Sequence, residues 1–114
     1  MRVLVCGGRD YENRLKLFYE LDSLNVTQSI DCIIHGGARG ADYLAKLWGR
    51  ERQITVLEFP ANWERDGKAA GPIRNQQMLV TGNPDLVMAF PGGRGTADMV
   101  NRARKANVEV REIT

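Results

Sequence analysis

Three times in this chain a short apolar run passes, directly or through one proline, into a pair of glycines and then into a helical pattern. Arg2-Val3-Leu4-Val5-Cys6 leads into Gly7-Gly8-Arg9-Asp10, and Asp31-Cys32-Ile33-Ile34-His35 leads into Gly36-Gly37-Ala38-Arg39-Gly40. Asp85-Leu86-Val87-Met88-Ala89-Phe90 leads into Pro91-Gly92-Gly93-Arg94-Gly95-Thr96. A brief apolar run without polar alternation fits a strand covered on both faces, as in a parallel sheet. Glycine at its end permits positive φ and lets a ligand approach the main chain closely. The helix that follows brings unpaired N–H groups and the positive end of its dipole, roughly half an elementary charge, to the strand's carboxyl end. An anion is the natural occupant of such a turn, although one glycine-rich turn alone also serves as an ordinary tight connection.

The segments between these signals complete an alternating pattern. A helix is expected over residues 11–25, with Leu17, Phe18, Leu21 and Leu24 as its buried stripe and Asn13 or Asp10 as its cap. A second, over 41–50, buries Ala41, Leu44, Ala45 and Trp48, and 55–59 reads as a third strand. Residues 61–71 carry no periodicity and read as a long connection of the functional or mobile kind. Pro72 suits the first position of a helix over 72–80, which Thr81-Gly82-Asn83-Pro84 stops. Met99, Val100, Ala103 and Ala106 share one face of a last helix, and 108–113 alternates as a half-exposed edge strand. The order βαβαβαβαβ specifies an α/β fold: one Rossmann-like, doubly wound domain over 1–114, with a five-stranded parallel sheet and helices on both faces. With strand order 3-2-1-4-5, the ligand crevice lies at the carboxyl ends of the first and fourth strands, where chain order reverses.

Composition narrows what such a crevice would hold. A chain of 114 residues fills one core and leaves no room for a lid domain. Its formal charge is +2, and the sixteen Lys and Arg form no polybasic block, which argues against a general nucleic-acid surface. Arg9, Arg39, Lys68, Arg74 and Arg94 instead lie in or beside glycine-containing segments, where they could meet a small anion. Cys6 and Cys32 sit in apolar runs without CxxC or Cys/His spacing, so they read as small buried hydrophobes, with neither disulfide nor metal expected. No run approaches a membrane span, so a cytoplasmic protein without membrane attachment is expected.

Neither Gly7-Gly8 nor Gly36-Gly37 completes GxGxxG with an acid at the end of the next strand, and GxxxxGK[ST] is missing. A nicotinamide-dependent dehydrogenase and a P-loop NTPase are therefore disfavoured. A mononucleotide-sized ligand fits better, and no cofactor is called for. Arg74 could hold a phosphate or carboxylate through a forked pair of hydrogen bonds, or form a surface ion pair. Asp98 and Asp42, each early in a helix, read either as site carboxylates or as favourable charges at a helix amino terminus. His35, the only histidine, ends a buried strand, where packing or a loop hydrogen bond competes with proton transfer. Trp63 could stack on a base or cover the core beneath its loop.

Taken together, Gly7 to Asp10, His35 to Asp42, Ala70-Gly71-Pro72-Ile73-Arg74-Asn75 and Ala89 to Thr96 resemble the YspA-related branch of the SLOG superfamily, and the resemblance spans nearly the whole chain. It implies a Rossmann-like fold that binds a nucleotide or nucleotide-derived ligand as a sensor or processing module. It places Gly7, Gly8, Arg9, His35, Gly36, Gly37, Arg39, Asp42, Arg74, Pro91, Gly92, Gly93, Arg94, Gly95 and Thr96 around the ligand. The same superfamily holds the LOG phosphoribohydrolases, which cleave the N-glycosidic bond of cytokinin riboside monophosphates through the arginine of RKxxM and the glutamate of PGGxGTxxE. Arg74-Asn75-Gln76-Gln77-Met78 is similar to the first motif with Asn75 for lysine, and the second runs from Pro91 until Met99 stands where the glutamate belongs. Loss of a positioned acid or base typically removes on the order of a hundredfold to ten-thousandfold in rate. A binding module is thus expected ahead of a nucleoside 5′-monophosphate N-glycosidase, in which Arg74 and Asp98 would be the catalytic pair. Single-stranded nucleic-acid binding, as in a SLOG-related DNA-processing protein, would need stacking aromatics that this chain has in small number. SLOG relatives commonly pair through helices, and Trp48 with an apolar helix makes a homo-oligomer the expectation here.

Overall fold

The computed structural model describes residues 1–114. Its centre is a five-stranded parallel sheet in the order β3-β2-β1-β4-β5, formed by β1 (Arg2–Cys6), β2 (Cys32–His35), β3 (Thr55–Glu58), β4 (Leu86–Ala89) and β5 (Glu109–Glu112). The chain steps outward from β1 to β3, returns to the far side of β1, and continues through β4 to β5. The reversal therefore falls between β1 and β4, which pair from Val3 with Leu86 to Cys6 with Ala89.

Side chains of a strand alternate between the faces of its sheet, and the core divides accordingly. Val3 and Val5 point with Ile33, Leu86 and Met88 toward α1 (Arg14–Thr27) and α2 (Ala41–Glu51), where Leu17, Leu21, Ala45 and Trp48 meet them. Leu4 and Cys6 point with Ile34, Val87 and Ala89 to the other face, toward α4 (Ala70–Val80) and α5 (Arg94–Lys105), which supply Met78, Leu79, Met99, Val100 and Ala103. Each fully buried Leu contributes about 1.5–3 kcal/mol relative to an exposed one, so the two layers hold the sheet from both sides. No helix is long and apolar enough to cross a membrane.

Several boundaries differ from expectation for local reasons. The first helix begins at Arg14, because the Asn13 side chain accepts the Lys16 N–H at 3.1 Å and caps it there. Tyr11, left outside, packs its ring against Phe90 at 5.4 Å. Phe18 is only half buried, with the guanidinium groups of Arg14 and Arg52 at 4.6 and 5.1 Å from its ring. Leu44 is likewise partly buried, and Ala106, the C-cap of α5, is exposed.

The segment read as an aperiodic connection contains a single helical turn, α3 (Trp63–Asp66), followed by a 3-10 turn over Gly67–Ala69 that runs into α4. Asn62 caps α3 by accepting the Arg65 N–H at 3.0 Å. The fourth helix therefore starts at Ala70, two residues before Pro72, and Arg74 lies in its second turn.

Candidate functional site

The three glycine turns converge at the carboxyl edge of the sheet, and much of their backbone is spent on one another. Gly8 N–H donates to the Pro91 carbonyl at 2.8 Å, and Ala41 N–H donates to the Gly8 carbonyl at 3.2 Å. A Cβ on Gly92 would lie 2.7 Å from the Gly8 nitrogen and overlap the Thr96 hydroxyl. Gly40 has φ +80, and a Cβ there would overlap the Gly8 carbonyl oxygen. These two glycines let the β1, β2 and β4 turns touch main chain to main chain. Pro91 and Gly92, expected beside the ligand, instead join the turns and do not line the cleft.

What remains between the turns and α4 is a cleft of about 650 Å³. Cys6, Gly7, Gly8 and Arg9 form one wall; Gly93, Arg94, Gly95, Thr96 and Asp98 from the start of α5 form another. From α4, Gly71, Pro72, Arg74, Asn75 and Met78 face it, the three-and-four spacing of one helical face. No side chain caps the α5 amino terminus, where Gly93 is the N-cap, so no side-chain oxygen competes there for an anion. A smaller recess of about 430 Å³ adjoins, sharing Arg9, Ala38, Trp63 and Arg74 with the cleft and bounded beyond them by Gly36, Gly37, Arg39, Pro60 and Ala61.

Arg74 stands at the junction. Its Nη1 donates to the Gly36 carbonyl and its Nε to Asn75 Oδ1 at 3.1 Å, and a Cβ on Gly36 would collide with the guanidinium. Burial lowers its pKa from the free arginine value while Asp42 opposes that shift, and a guanidinium keeps its charge throughout the physiological range. Asn75 is 4% exposed and also donates to the Gly95 carbonyl at 3.2 Å and to Asp98 Oδ2 at 2.9 Å, so one amide ties Arg74 to the start of α5.

Both candidate carboxylates are occupied internally. Asp42 Oδ2 accepts Gly36 N–H at 3.0 Å and Ala38 N–H at 3.2 Å, which fixes the β2 turn. Burial pushes this carboxyl up to about 6, against those two N–H groups and the Arg74 charge. Burial would also raise Asp98, but hydrogen bonds from Asn75 and Arg102, the latter at 2.8 Å, outweigh it and hold the group below the ordinary carboxylate range. Asp98 is therefore ionised at neutral pH. Met99, at the position of the LOG glutamate, is fully buried in the core.

His35 does not reach the cleft or the recess. Its Nδ1 accepts Gly37 N–H at 3.0 Å, while its buried Nε2 has no hydrogen-bond partner and lies 3.6 Å from Glu58 Oε1. Burial pushes its pKa down to about 4 despite Glu58, so the ring is neutral and serves the turn. The Cys6 thiol, on the floor of the cleft, is pushed up to about 12 by burial, with Asp42 adding to the shift; it is no nucleophile.

Gly7, Gly8, Arg9, Asp42, Arg74 and residues 93–96 thus gather on the cleft, with Asp98 among them, while Gly36, Gly37 and Arg39 line the recess. Trp63 is half exposed and stands between the two spaces instead of covering the core. Sequence reasoning gave Asn75 no place of its own. The one signal was its position beside Arg74 in a motif that elsewhere holds lysine.

The family model described as YspA, cpYpsA-related SLOG family matches residues 1–65, which carry the first two glycine turns and Trp63. The Gene 61 protein of Mycobacterium phage D29 is 38% identical over 117 residues, covering 96% of this chain and 93% of its own length, and so extends the likeness through α4 and α5. Among solved structures, the Moco carrier protein from Chlamydomonas reinhardtii superposes with a TM-score of 0.63 at 19% identity, over 98% of this chain and 75% of that one. At that identity the likeness is one of fold.

Proposed function

The chain belongs to the YspA, cpYpsA-related SLOG family, and from that premise we propose that its cleft binds a nucleotide or nucleotide-derived ligand by its phosphate, as a sensor or ligand-processing module. The observation that carries this reading is the placement of Arg74 beside the uncapped amino terminus of α5. A phosphate there would accept from first-turn N–H groups and sit at the positive end of the helix dipole. Arg9, Lys68, Arg74 and Arg94 surround the same space, and its two carboxylates are already engaged by Gly36, Ala38, Asn75 and Arg102. An anionic ligand therefore meets net positive potential there.

Binding without turnover is favoured over nucleotide N-glycosidase activity by the burial of Met99 and the commitment of Asp98 Oδ2 to two donors. Neither group is a free acid. A carrier protein on the same fold fits a binding role as well.

The test is thermal denaturation against a panel of ribo- and deoxyribonucleoside mono- and diphosphates, with free base followed by chromatography. A ligand at a hundredfold its Kd adds about 2.7 kcal/mol of stability, a shift of several degrees. We expect such a shift for at least one nucleotide, its loss in Arg74→Ala, and no base release. No shift across the panel sinks the proposal. Base release that vanishes in Arg74→Ala replaces it with the glycosidase.

A further inference from the structure

We propose that the recess beside the cleft receives the aromatic ring of that ligand, with Trp63 as its stacking platform and Arg9 as a side chain the ring displaces. The inference rests on the phosphate reading above and names what the other end of the ligand must be.

The two spaces differ in chemistry. The cleft sets Arg9, Lys68, Arg74 and Arg94 against Asp42 and Asp98 and ends at the start of α5, whereas the recess shares Arg9 and Arg74, adds Arg39, and brings the apolar walls of Pro60 and Ala61 to the half-exposed face of Trp63. The Gly36-Gly37-Ala38 main chain also lines it, with its N–H groups held by Asp42 and His35. A recess lined by main chain, small apolar side chains and an indole suits a planar heteroaromatic ring. Because Arg74 and Arg9 belong to both spaces, a ligand with its phosphate at α5 and its ring on Trp63 spans residues that line both.

Arg9 already shows how the platform is used. Its guanidinium, itself a planar cation, lies 5.6 Å from the Trp63 ring centroid. That spacing leaves no room for a ring between the two, so a base must take the place of Arg9. An exposed cation–π contact is weaker than base–aromatic stacking, so the exchange favours the ligand. Arg9 lines the cleft as well, so once displaced it stays among the cations that face the ligand.

The consequence is a selectivity that the phosphate site alone does not give: nucleotides over sugar phosphates. Wild-type protein would be titrated with inorganic phosphate, ribose 5-phosphate and the four common ribonucleoside 5′-monophosphates, by calorimetry and by tryptophan emission. Trp48 is fully buried with its Nε1 bonded to Asp22, which leaves Trp63 as the tryptophan open to a ligand. We expect at least one nucleoside monophosphate to bind roughly tenfold or more tightly than ribose 5-phosphate and to quench emission. Trp63→Ala should erase that preference by weakening the nucleotide far more than ribose 5-phosphate, and Trp63→Phe should keep the preference but lose the quench. Trp63 is half exposed and belongs to neither buried cluster, so neither variant opens a cavity in the core. Equal affinity for ribose 5-phosphate and every nucleotide overturns this inference and leaves the phosphate site standing. So does a Trp63→Ala variant that weakens both ligands alike. Failure of all the probes to bind overturns both.

Discussion

Asn75 and Asp98 meet at 2.9 Å across the seam between α4 and α5, amide nitrogen to carboxylate oxygen. The same amide accepts from Arg74 Nε, so the orientation of the guanidinium depends on a residue that is almost wholly buried. Asn75→Ala removes a donor from Asp98 and from the Gly95 carbonyl, and an acceptor from Arg74. A loss of roughly 1–3 kcal/mol is expected, seen as a Tm lower by several degrees. Nucleotide affinity should fall too, even well below that Tm. Wild-type melting together with wild-type affinity would refute the tie.

Restoring the LOG glutamate should not restore LOG chemistry. Met99 is fully buried between α5 and the sheet, so Met99→Glu places a carboxyl group where neither water nor a cation reaches it. The cost is on the order of 3 kcal/mol or more, read as a shift of the urea midpoint. A variant of unchanged stability that releases free base would show that the helix turns to bring this position into the cleft.

The pH dependence of stability should be muted by two opposed groups. Asp42, raised from 3.8 to about 6 on folding, contributes stability that is fully present below pH 4 and is lost as pH rises through 6. His35, lowered from 6.5 to about 4, contributes stability that is present above pH 6.5 and is lost as pH falls toward 4. Within that shared window the two slopes, each up to ~1.4 kcal/mol per pH unit, oppose one another. Asp42→Asn should therefore leave a protein that weakens as pH drops from 6.5 to 4. His35→Asn, whose amide oxygen can take over the Gly37 N–H, should strengthen over the same drop. Denaturant titrations at half-unit intervals would decide it, and two variants with parallel profiles would rule it out.

Two glycines should behave oppositely. Gly40→Ala combines a φ of +80 with overlap on the Gly8 carbonyl and should cost more than about 1–3 kcal/mol. Gly95 lies in the first turn of α5, where a Cβ meets nothing within 4 Å, so Gly95→Ala should raise stability by about 0.5–1 kcal/mol through helix propensity. If the cleft holds a phosphate against that turn, the same methyl weakens binding. A stabilised variant that binds as wild type does would locate the phosphate elsewhere.

The sheet and its order were legible because Val3, Ile33 and Val87 sit in runs too short and too uniformly apolar for anything but covered strands, each ending on glycines. The α3 turn was not, since four residues without a buried side chain leave no periodic trace and only the Asn62 cap marks it. Asn75 escaped for a different reason: as a polar residue beside Gln76 and Gln77 it reads as helix surface. Only the packing of α4 on α5 turns it inward. His35 was legible as a buried strand end, but the direction of its imidazole, toward Glu58 and away from the cleft, depends on a loop hydrogen bond that spacing does not encode.

The outermost strands carry one further implication. β3 exposes Thr55 and Glu58, and β5 exposes Glu109, Arg111 and Glu112, so both free margins of the sheet are short and studded with ionic or polar side chains. An approaching strand from another molecule would have to strip water from these groups before its first ladder bond could form. Such margins disfavour edge-to-edge pairing between folded copies of the chain.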